Sequence, residues 1–463
     1  MNIKSAAIWS ILSNIAPQVI SPVVFIALGR LLKPEDYGVF VMSLVVIGFV
    51  QLFKDAGFGQ VIIQANEKDV TNFVFTMQLG IGVLLYTIIF IFSPYIALFY
   101  KTPQVENVIK IMGLSILISP FVDIPVYLSM REINFRAVFV RNSTAPFVSG
   151  VVSIVLALNG FGYWALVLGQ LVGQGFTAFL LLFFVSWKPN FEIDWKKNKL
   201  HLGFAKNIFA QGMFSWVMGM FDKLLLGRFE GKSSIGYYEL AMRASNLPYT
   251  ILSVSINKLM HPIMAEKRRR NEAISRLYID VTKKVSLISI PSGVFLIMTS
   301  DTLFKVFLGE KWIPSVPLFN YMIVGCICAT LVTLNIEVYK AINRPDIMTK
   351  FMAVRAIVSL PVYYFFCRNG AFSLAVSRAV LALLFSPVNA YIVTRVIGIR
   401  FGEFLNILFI PAVIGLLTSF ASFLIHILFK NDLANLAVQT FIFTIILLIS
   451  ILKFEPSLLK LRG

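Results

Sequence analysis

The stretch FDKLLLGRFEGKSSIGYYELAMR, residues 221–243, decides the fold because it restates, with charges added, what residues 27–38, ALGRLLKPEDYG, have already said. Gly29-Arg30 is followed after seven residues by Gly38. Gly227-Arg228 is followed after seven by Gly236, and the two copies stand 198 positions apart. In each copy an apolar helix ends at Gly-Arg, a short polar loop follows, and a second apolar helix begins after the glycine. That pattern reads as a helical hairpin whose turn leaves a membrane. The chain is therefore expected to consist of two related halves.

Composition points the same way. A chain of 463 residues with 58% hydrophobic content, 14% charged residues and a mean hydropathy of +0.81 is too apolar for a water-soluble domain. The expectation is an all-α polytopic membrane protein. The N-terminal run carries Lys4 ahead of more than twenty mostly apolar residues with no small-residue cleavage pattern, so it reads as a first transmembrane helix and not as a signal peptide. Cys326, Cys328 and Cys367 lie inside apolar runs, and the first two point about 200° apart on a helix, so neither a disulfide nor a metal site is indicated.

A window of about 20 apolar residues per span places helices near 6–28, 39–63, 74–99, 106–128, 144–159, 163–186 and 203–227. It continues with 236–260, 285–308, 316–339, 351–367, 371–394, 405–429 and 434–452, about fourteen in all. The expected organisation is an N-terminal six-helix lobe at 1–186, a cytoplasmic linker at 187–202, a second six-helix lobe at 203–394, and two additional helices with a cytoplasmic tail at 395–463. The two lobes surround a central cavity in this reading. Pro17, Pro22, Pro125, Pro146, Pro361 and Pro387 fall inside spans, where each removes a backbone donor.

The basic loops orient the chain. One set holds Arg131, Arg136 and Arg141, the lysines of 188–206, the run EKRRR at 266–270 with its neighbours, Lys340, Arg344 and Lys350, and Arg395 and Arg400. The alternate set is sparse: Arg30, Lys33, Lys101, Lys110, Arg228, Lys232, Lys305, Lys311, Arg368 and Lys430. Both termini fall with the rich set, which makes them cytoplasmic. The formal charge of +18 is then mostly topology and attraction to anionic inner-leaflet lipid, and it needs no nucleic acid. Trp187 and Trp195 in the linker suit the membrane interface, and 261–284 suits a short surface helix.

No catalytic constellation stands out: there is no Walker loop, no HExxH and no CxxC, and His201, His261 and His426 have no paired acid nearby in sequence. The chemical signal is instead the set of ionisable residues inside spans, each costly in hydrocarbon. They are Lys54, Asp55, Asp123, Asp222, Lys223, Glu239, Arg243, Lys258, Glu337, Arg355 and Arg378. The bases slightly outnumber the acids, so a cavity they line attracts an anion. The competing reading is that they pair between helices as structural bridges.

The stretches ALGRLLKPEDYGVF at 27–40, FKDAGFGQVIIQ at 53–64 and FDKLLLGRFEGKSSIGYYELAMRASNLP at 221–248 resemble the polysaccharide transporter family of lipid-linked oligosaccharide flippases, the Wzx type. That family lies in the superfamily that also holds multidrug and toxin extrusion antiporters and lipid II flippases. The resemblance implies an inner-membrane protein that turns an undecaprenyl-pyrophosphate-linked oligosaccharide to the outer leaflet, for O-antigen, capsule, exopolysaccharide or a teichuronic-type polymer.

It also implies cavity cations that hold pyrophosphate or acidic sugars, for which Lys54, Lys223, Arg243, Arg355 and Arg378 are the candidates. Asp222, Lys223, Arg228 and Arg243 lie in a matching motif, whereas Arg355 and Arg378 are inferred from position. Asp55, Asp123, Asp222 and Glu337 are candidate sites for coupling to a proton or sodium gradient. No cofactor and no metal is implied. The partners are the lipid-linked substrate and membrane lipids, with a polysaccharide polymerase and a chain-length regulator as further ones. Three alternatives stand beside this reading: a cation or drug antiporter of the same superfamily, which would favour an acidic cavity; a lipid II flippase; and a membrane enzyme of polysaccharide assembly, which would need a large outer loop.

Overall fold

The structure is a computed structural model that describes residues 3–55, 57–64, 68–191, 195–270, 272–429 and 431–455. Among them there is no strand. The helices are α1 (Ile3–Leu31), α2 (Pro34–Asp55), α3 (Phe58–Gln64), α4 (Lys68–Tyr100), α5 (Gln104–Met112), α6 (Leu114–Arg131), α7 (Arg136–Leu158), α8 (Tyr163–Phe184), α9 (Trp195–Phe229) and α10 (Gly231–Arg269). They continue with α11 (Ser275–Met298), α12 (Ser300–Leu303), α13 (Val316–Leu331), α14 (Asn335–Ala341), α15 (Pro345–Cys367), α16 (Ala371–Val396), α17 (Phe401–Leu428) and α18 (Asp432–Phe454). Between α12 and α13 the chain makes a wide π turn over Phe304–Leu308 and a tight 3-10 turn over Glu310–Ser315.

Twelve segments among the described residues are long and apolar enough to cross a membrane, so the chain is a multi-pass membrane protein. The segments expected as spans at 203–227 and 236–260 lie within the helices α9 and α10, of 35 and 39 residues, which are not among those twelve. They fall outside the apolar set because Asp222, Lys223, Glu239 and Arg243 dilute their hydropathy. Several expected boundaries shift for physical reasons. The span expected at 39–63 is broken into α2 and α3 at Gly57, which takes a φ of +81°. The span expected at 285–308 begins ten residues earlier, at Ser275, because a helix can extend past its apolar part. The basic loop expected over 261–284 is shorter than expected: the EKRR of residues 266–269 is the last turn of α10, with Arg270 just beyond it, and not a separate surface helix. There Arg270 pairs with Glu266 at 2.5 Å and Lys267 with Glu272 at 2.6 Å. The Lys267 ammonium holds the Glu272 carboxyl below its usual range. The six prolines expected inside spans all lie within helices.

Packing divides the chain into one unit ending at Gly236 and another beginning at Tyr237. In the first, α7 lies along α8 and α1, while α2 packs on α9 and α5. Its core joins α3, α4 and α6 through Phe58, Ile62, Val74, Phe75 and Ile124. Trp187 is fastened to that core: it donates to Asn72 Oδ1 at 3.1 Å and meets the Phe75 ring edge-on at 5.3 Å. The side chain of Trp195 lies outside those described.

In the second unit, α11 packs on α17 and α13 on α16. The core of this unit gathers Met264, Tyr278, Val338, Tyr339, Val393 and Phe404. The last helix, α18, stacks Phe443 on Phe295 of α11 at 4.3 Å. His426 shares a hydrogen bond of 3.1 Å with Asn435. The side chains of His201 and His261 lie outside those described.

Candidate functional site

In the first unit the charges of FKDAGF are brought to α6. Lys54 sits in the last turn of α2, where the helix dipole favours a cation, and is fully buried. Its Nζ is 2.6 Å from Asp55 and 3.3 Å from Asp123. Two candidates for ion coupling and one for anion binding thus form a single cluster. A buried ammonium in hydrocarbon requires such partners, so Lys54 is committed to acids and not held ready as a lone anion hook. Four residues after Asp123, Tyr127 lies over Gly59 of α3, where an added Cβ would stand 2.3 Å from the ring.

On α9, Asp222 and Lys223 are both buried, at 1% and 8% exposure. Asp222 Oδ1 accepts the backbone N–H of Lys223 at 2.9 Å.

In the second unit, Arg243 donates through Nε to Glu239 Oε1 at 2.6 Å, one helical turn away. The acid is buried at 5% exposure and the arginine side chain is 43% exposed. Arg378 of α16 reaches the buried Tyr238, donating to its hydroxyl at 3.2 Å, and its guanidinium lies 5.6 Å from the centre of the Tyr363 ring. Glu337 of α14 is buried and is 3.1 Å from Lys340. The side chain of Lys258 lies outside those described.

Arg355 of α15 lines a cavity of about 320 Å³ with Tyr249, Asn257, Thr333, Ser386 and Asn389. Among the described residues lining it, Arg355 is the one charge. Asn257 donates to Thr333 at 3.1 Å, and Asn389 Oδ1 accepts from the Tyr339 hydroxyl at 3.0 Å. The remaining wall is apolar, with Phe351 and Phe385 edge to face at 6.0 Å. A positively charged, amide-lined and aromatic cavity suits a ligand that is at once hydroxyl-rich and anionic.

The structure brings Lys54 together with Asp55 and Asp123, pairs Glu239 with Arg243 and Glu337 with Lys340, and places Asp222 beside Lys223, Arg378 on its tyrosines and Arg355 in a cavity. Sequence reasoning counted ionisable groups and so passed over Tyr238, Tyr363, Asn257, Thr333 and Asn389. Their signal was neutral polarity inside apolar runs, a common and therefore weak one.

Residues 27–317 match the family described as polysaccharide biosynthesis protein. The teichuronic acid biosynthesis protein TuaB of Bacillus subtilis (strain 168) is 26% identical over 354 residues, covering 74% of this chain and 72% of its own. The succinoglycan biosynthesis transport protein ExoT of Rhizobium meliloti (strain 1021) is 22% identical, covering 76% of this chain and 72% of its own. The lipopolysaccharide biosynthesis protein WzxC of Escherichia coli (strain K12) is 21% identical, covering 93% of this chain and 89% of its own. Among solved structures, the lipid II flippase MurJ in an inward closed conformation superposes with a TM-score of 0.79 at 16% identity, over 98% of this chain and 100% of that one. An inward-facing multidrug transporter of the MATE family gives 0.63 at 13% identity, over 83% of this chain and 98% of that one. At these identities the two structures establish a shared fold.

Proposed function

Because the chain belongs to the polysaccharide biosynthesis protein family, we propose that it is a transporter, not an enzyme, that carries an undecaprenyl-pyrophosphate-linked oligosaccharide from the inner to the outer leaflet of the bacterial cytoplasmic membrane. Relatives named for teichuronic acid, succinoglycan and lipopolysaccharide biosynthesis support that substrate class. The likeness to a lipid II flippase supports a fold able to do it.

The observation that carries the reading is the Arg355 cavity. Its single positive charge, amide and hydroxyl groups and aromatic edges provide for an anionic, hydroxyl-rich headgroup and not for a cationic drug, which would call for acids. With both termini cytoplasmic, export of an anion is electrically downhill, by about 2.3 kcal/mol per charge per 100 mV. Entry of a proton or sodium ion at Asp55, Asp123, Asp222 or Glu337 would add to that drive. Arg243 and Arg378 of the second unit are proposed as further anion-binding residues, and Lys223 of the first unit as another. The polysaccharide polymerase and the chain-length regulator are its proposed partners downstream.

Deleting the gene tests the proposal: the expected result is accumulation of a lipid-linked oligosaccharide on the cytoplasmic side and loss of the surface polymer. Unchanged lipid-linked sugar together with increased sensitivity to cationic dyes would assign the protein to the antiporters instead.

A further inference from the structure

Of the cations in the sparse set of loops, Lys101, Arg228 and Lys232 meet in one place. The turn from α4 to α5 and the turn from α9 to α10, both in the first unit, wall a notch of about 440 Å³ that includes Tyr100, Lys101, Gln104, Arg228, Glu230 and Lys232. Its one acid, Glu230, accepts a hydrogen bond from Ser234 at 3.4 Å. None of the three cations joins an ion pair among the described residues.

The notch is built, not incidental. Arg228 is held against the Phe99 ring with its guanidinium 5.4 Å from the ring centre. Lys101 takes the left-handed conformation at φ +52°, where glycine would be unstrained and a lysine is not. Tyr100, only 1% exposed, keeps a buried hydroxyl with no hydrogen-bond partner among the described residues. It is seated over Gly227, where an added Cβ would stand 2.8 Å from the ring. Three cations against one engaged acid match a multiply charged oxyanion with several acceptor oxygens.

We propose that this notch binds a phosphate or diphosphate group at the outer surface of the membrane. The placement rests on the orientation and the transport reading given above. Two sources present that chemistry there: the headgroup of an outer-leaflet phospholipid and the diphosphate of the emerging lipid-linked sugar. Occupancy also bears on the hairpins, because the carbonyl of Lys232 lies against Gly38, where an added Cβ would stand 1.8 Å from its oxygen. An anion held by the Lys232 ammonium steadies the residue on which that helix crossing closes.

The test is a calorimetric titration of the purified full-length protein with inorganic pyrophosphate, compared with Lys101→Gln, Arg228→Gln, Lys232→Gln and the triple variant. Saturable binding is expected, weakened about ten-fold or more by each single change, as loss of a charge-assisted hydrogen bond requires. Arg228→Lys should recover part of it. Lys110→Gln, whose lysine is paired to Glu106 at 2.6 Å outside the notch, should bind as the unaltered protein does.

A second arm reconstitutes the protein in vesicles of phosphatidylcholine with or without phosphatidylglycerol and counts retained lipid by native mass spectrometry. Phosphatidylglycerol retained by the unaltered protein and lost from the triple variant identifies the lipid headgroup as the ligand. No such retention, with pyrophosphate binding that depends on the three cations, identifies the diphosphate. If the triple variant, with an unchanged unfolding midpoint, matches the unaltered protein in both arms, the proposal is overturned. Neither arm requires transport, so failure of the transport reading leaves the titration intact, and failure of the titration leaves the accumulation experiment intact.

Discussion

The hydroxyl of Ser233 donates a hydrogen bond of 2.9 Å to Glu35 Oε1, and the two residues, 198 positions apart, occupy the same place in the two copies of the hairpin motif. The backbone repeats the relationship. A Cβ on Gly38 would stand 1.8 Å from the carbonyl oxygen of Lys232, and one on Gly236 would stand 1.9 Å from the carbonyl oxygen of Pro34. Pro34 and Lys232 are themselves equivalent in the repeat. The first turns of α2 and α10 therefore meet through matching residues, and the glycine of each copy exists so that the other copy's backbone can approach.

This reciprocity predicts non-additive glycine variants. Gly38→Ala and Gly236→Ala should each destabilise by about 1–3 kcal/mol, as overpacking against a rigid backbone does. The double variant should lose clearly less than the two losses combined, because one added methyl already parts the crossing. Thermal unfolding of the purified protein measures it, and strict additivity would show that the two contacts are independent.

The same symmetry predicts that Glu35 and Ser233 can be exchanged. Glu35→Ser alone leaves two hydroxyls and removes the carboxylate from the helix start, where negative charge is favoured. Glu35→Ser combined with Ser233→Glu rebuilds the pair in mirror order, so stability and polymer export should return toward normal. A double variant no better than the worse single one would argue against equivalence.

Lys54 is expected to be the least replaceable of the candidate residues. Lys54→Gln leaves Asp55 and Asp123 without their shared cation, and breaking a buried ion pair by removing one partner costs about 3–5 kcal/mol. Lys54→Met with Asp123→Asn should recover part of the loss, since it also removes a stranded charge. Membrane levels and unfolding midpoints read this out. If Asp123 instead couples an ion, Asp123→Asn will fold normally and lose dependence of transport on the proton or sodium gradient.

Arg243 lies about 10 Å along α10 from Gly236, and its pairing with Glu239 allows a structural and a functional reading. Glu239→Arg with Arg243→Glu keeps the pair while placing a negative charge where the functional reading puts the anionic headgroup. The swapped protein should reach the membrane at normal levels yet fail to restore polymer in a deletion strain. Full restoration would make Arg243 a structural residue.

Topology is tested with a reporter active only in the cytoplasm. Fusion after Arg270 or at Gly463 should give activity, and insertion at Lys33 or Gly309 should give none. Activity at Lys33 or Gly309 would mean that the order of spans before that site has been misread.

The amino-acid sequence by itself determined the helical membrane class, the family resemblance and the repeat. Hydropathy is nearly additive along a segment, and a motif repeated at a fixed offset is visible without coordinates. It also located the intramembrane charges, because each is conspicuous in an apolar run. What it left open is whom each charge meets. Lys54 finds Asp123 across 69 positions, and Arg378 finds Tyr238 across 140. Three cations of the sparse loops converge because two turns far apart in the chain lie side by side. Such pairings depend on how each helix is rotated and which neighbour it packs against, and neutral partners such as Tyr238, Tyr363 and Thr333 carry no charge to mark them. Tertiary packing alone decided that Glu35 and Ser233, equivalent in the repeat, are also neighbours in space.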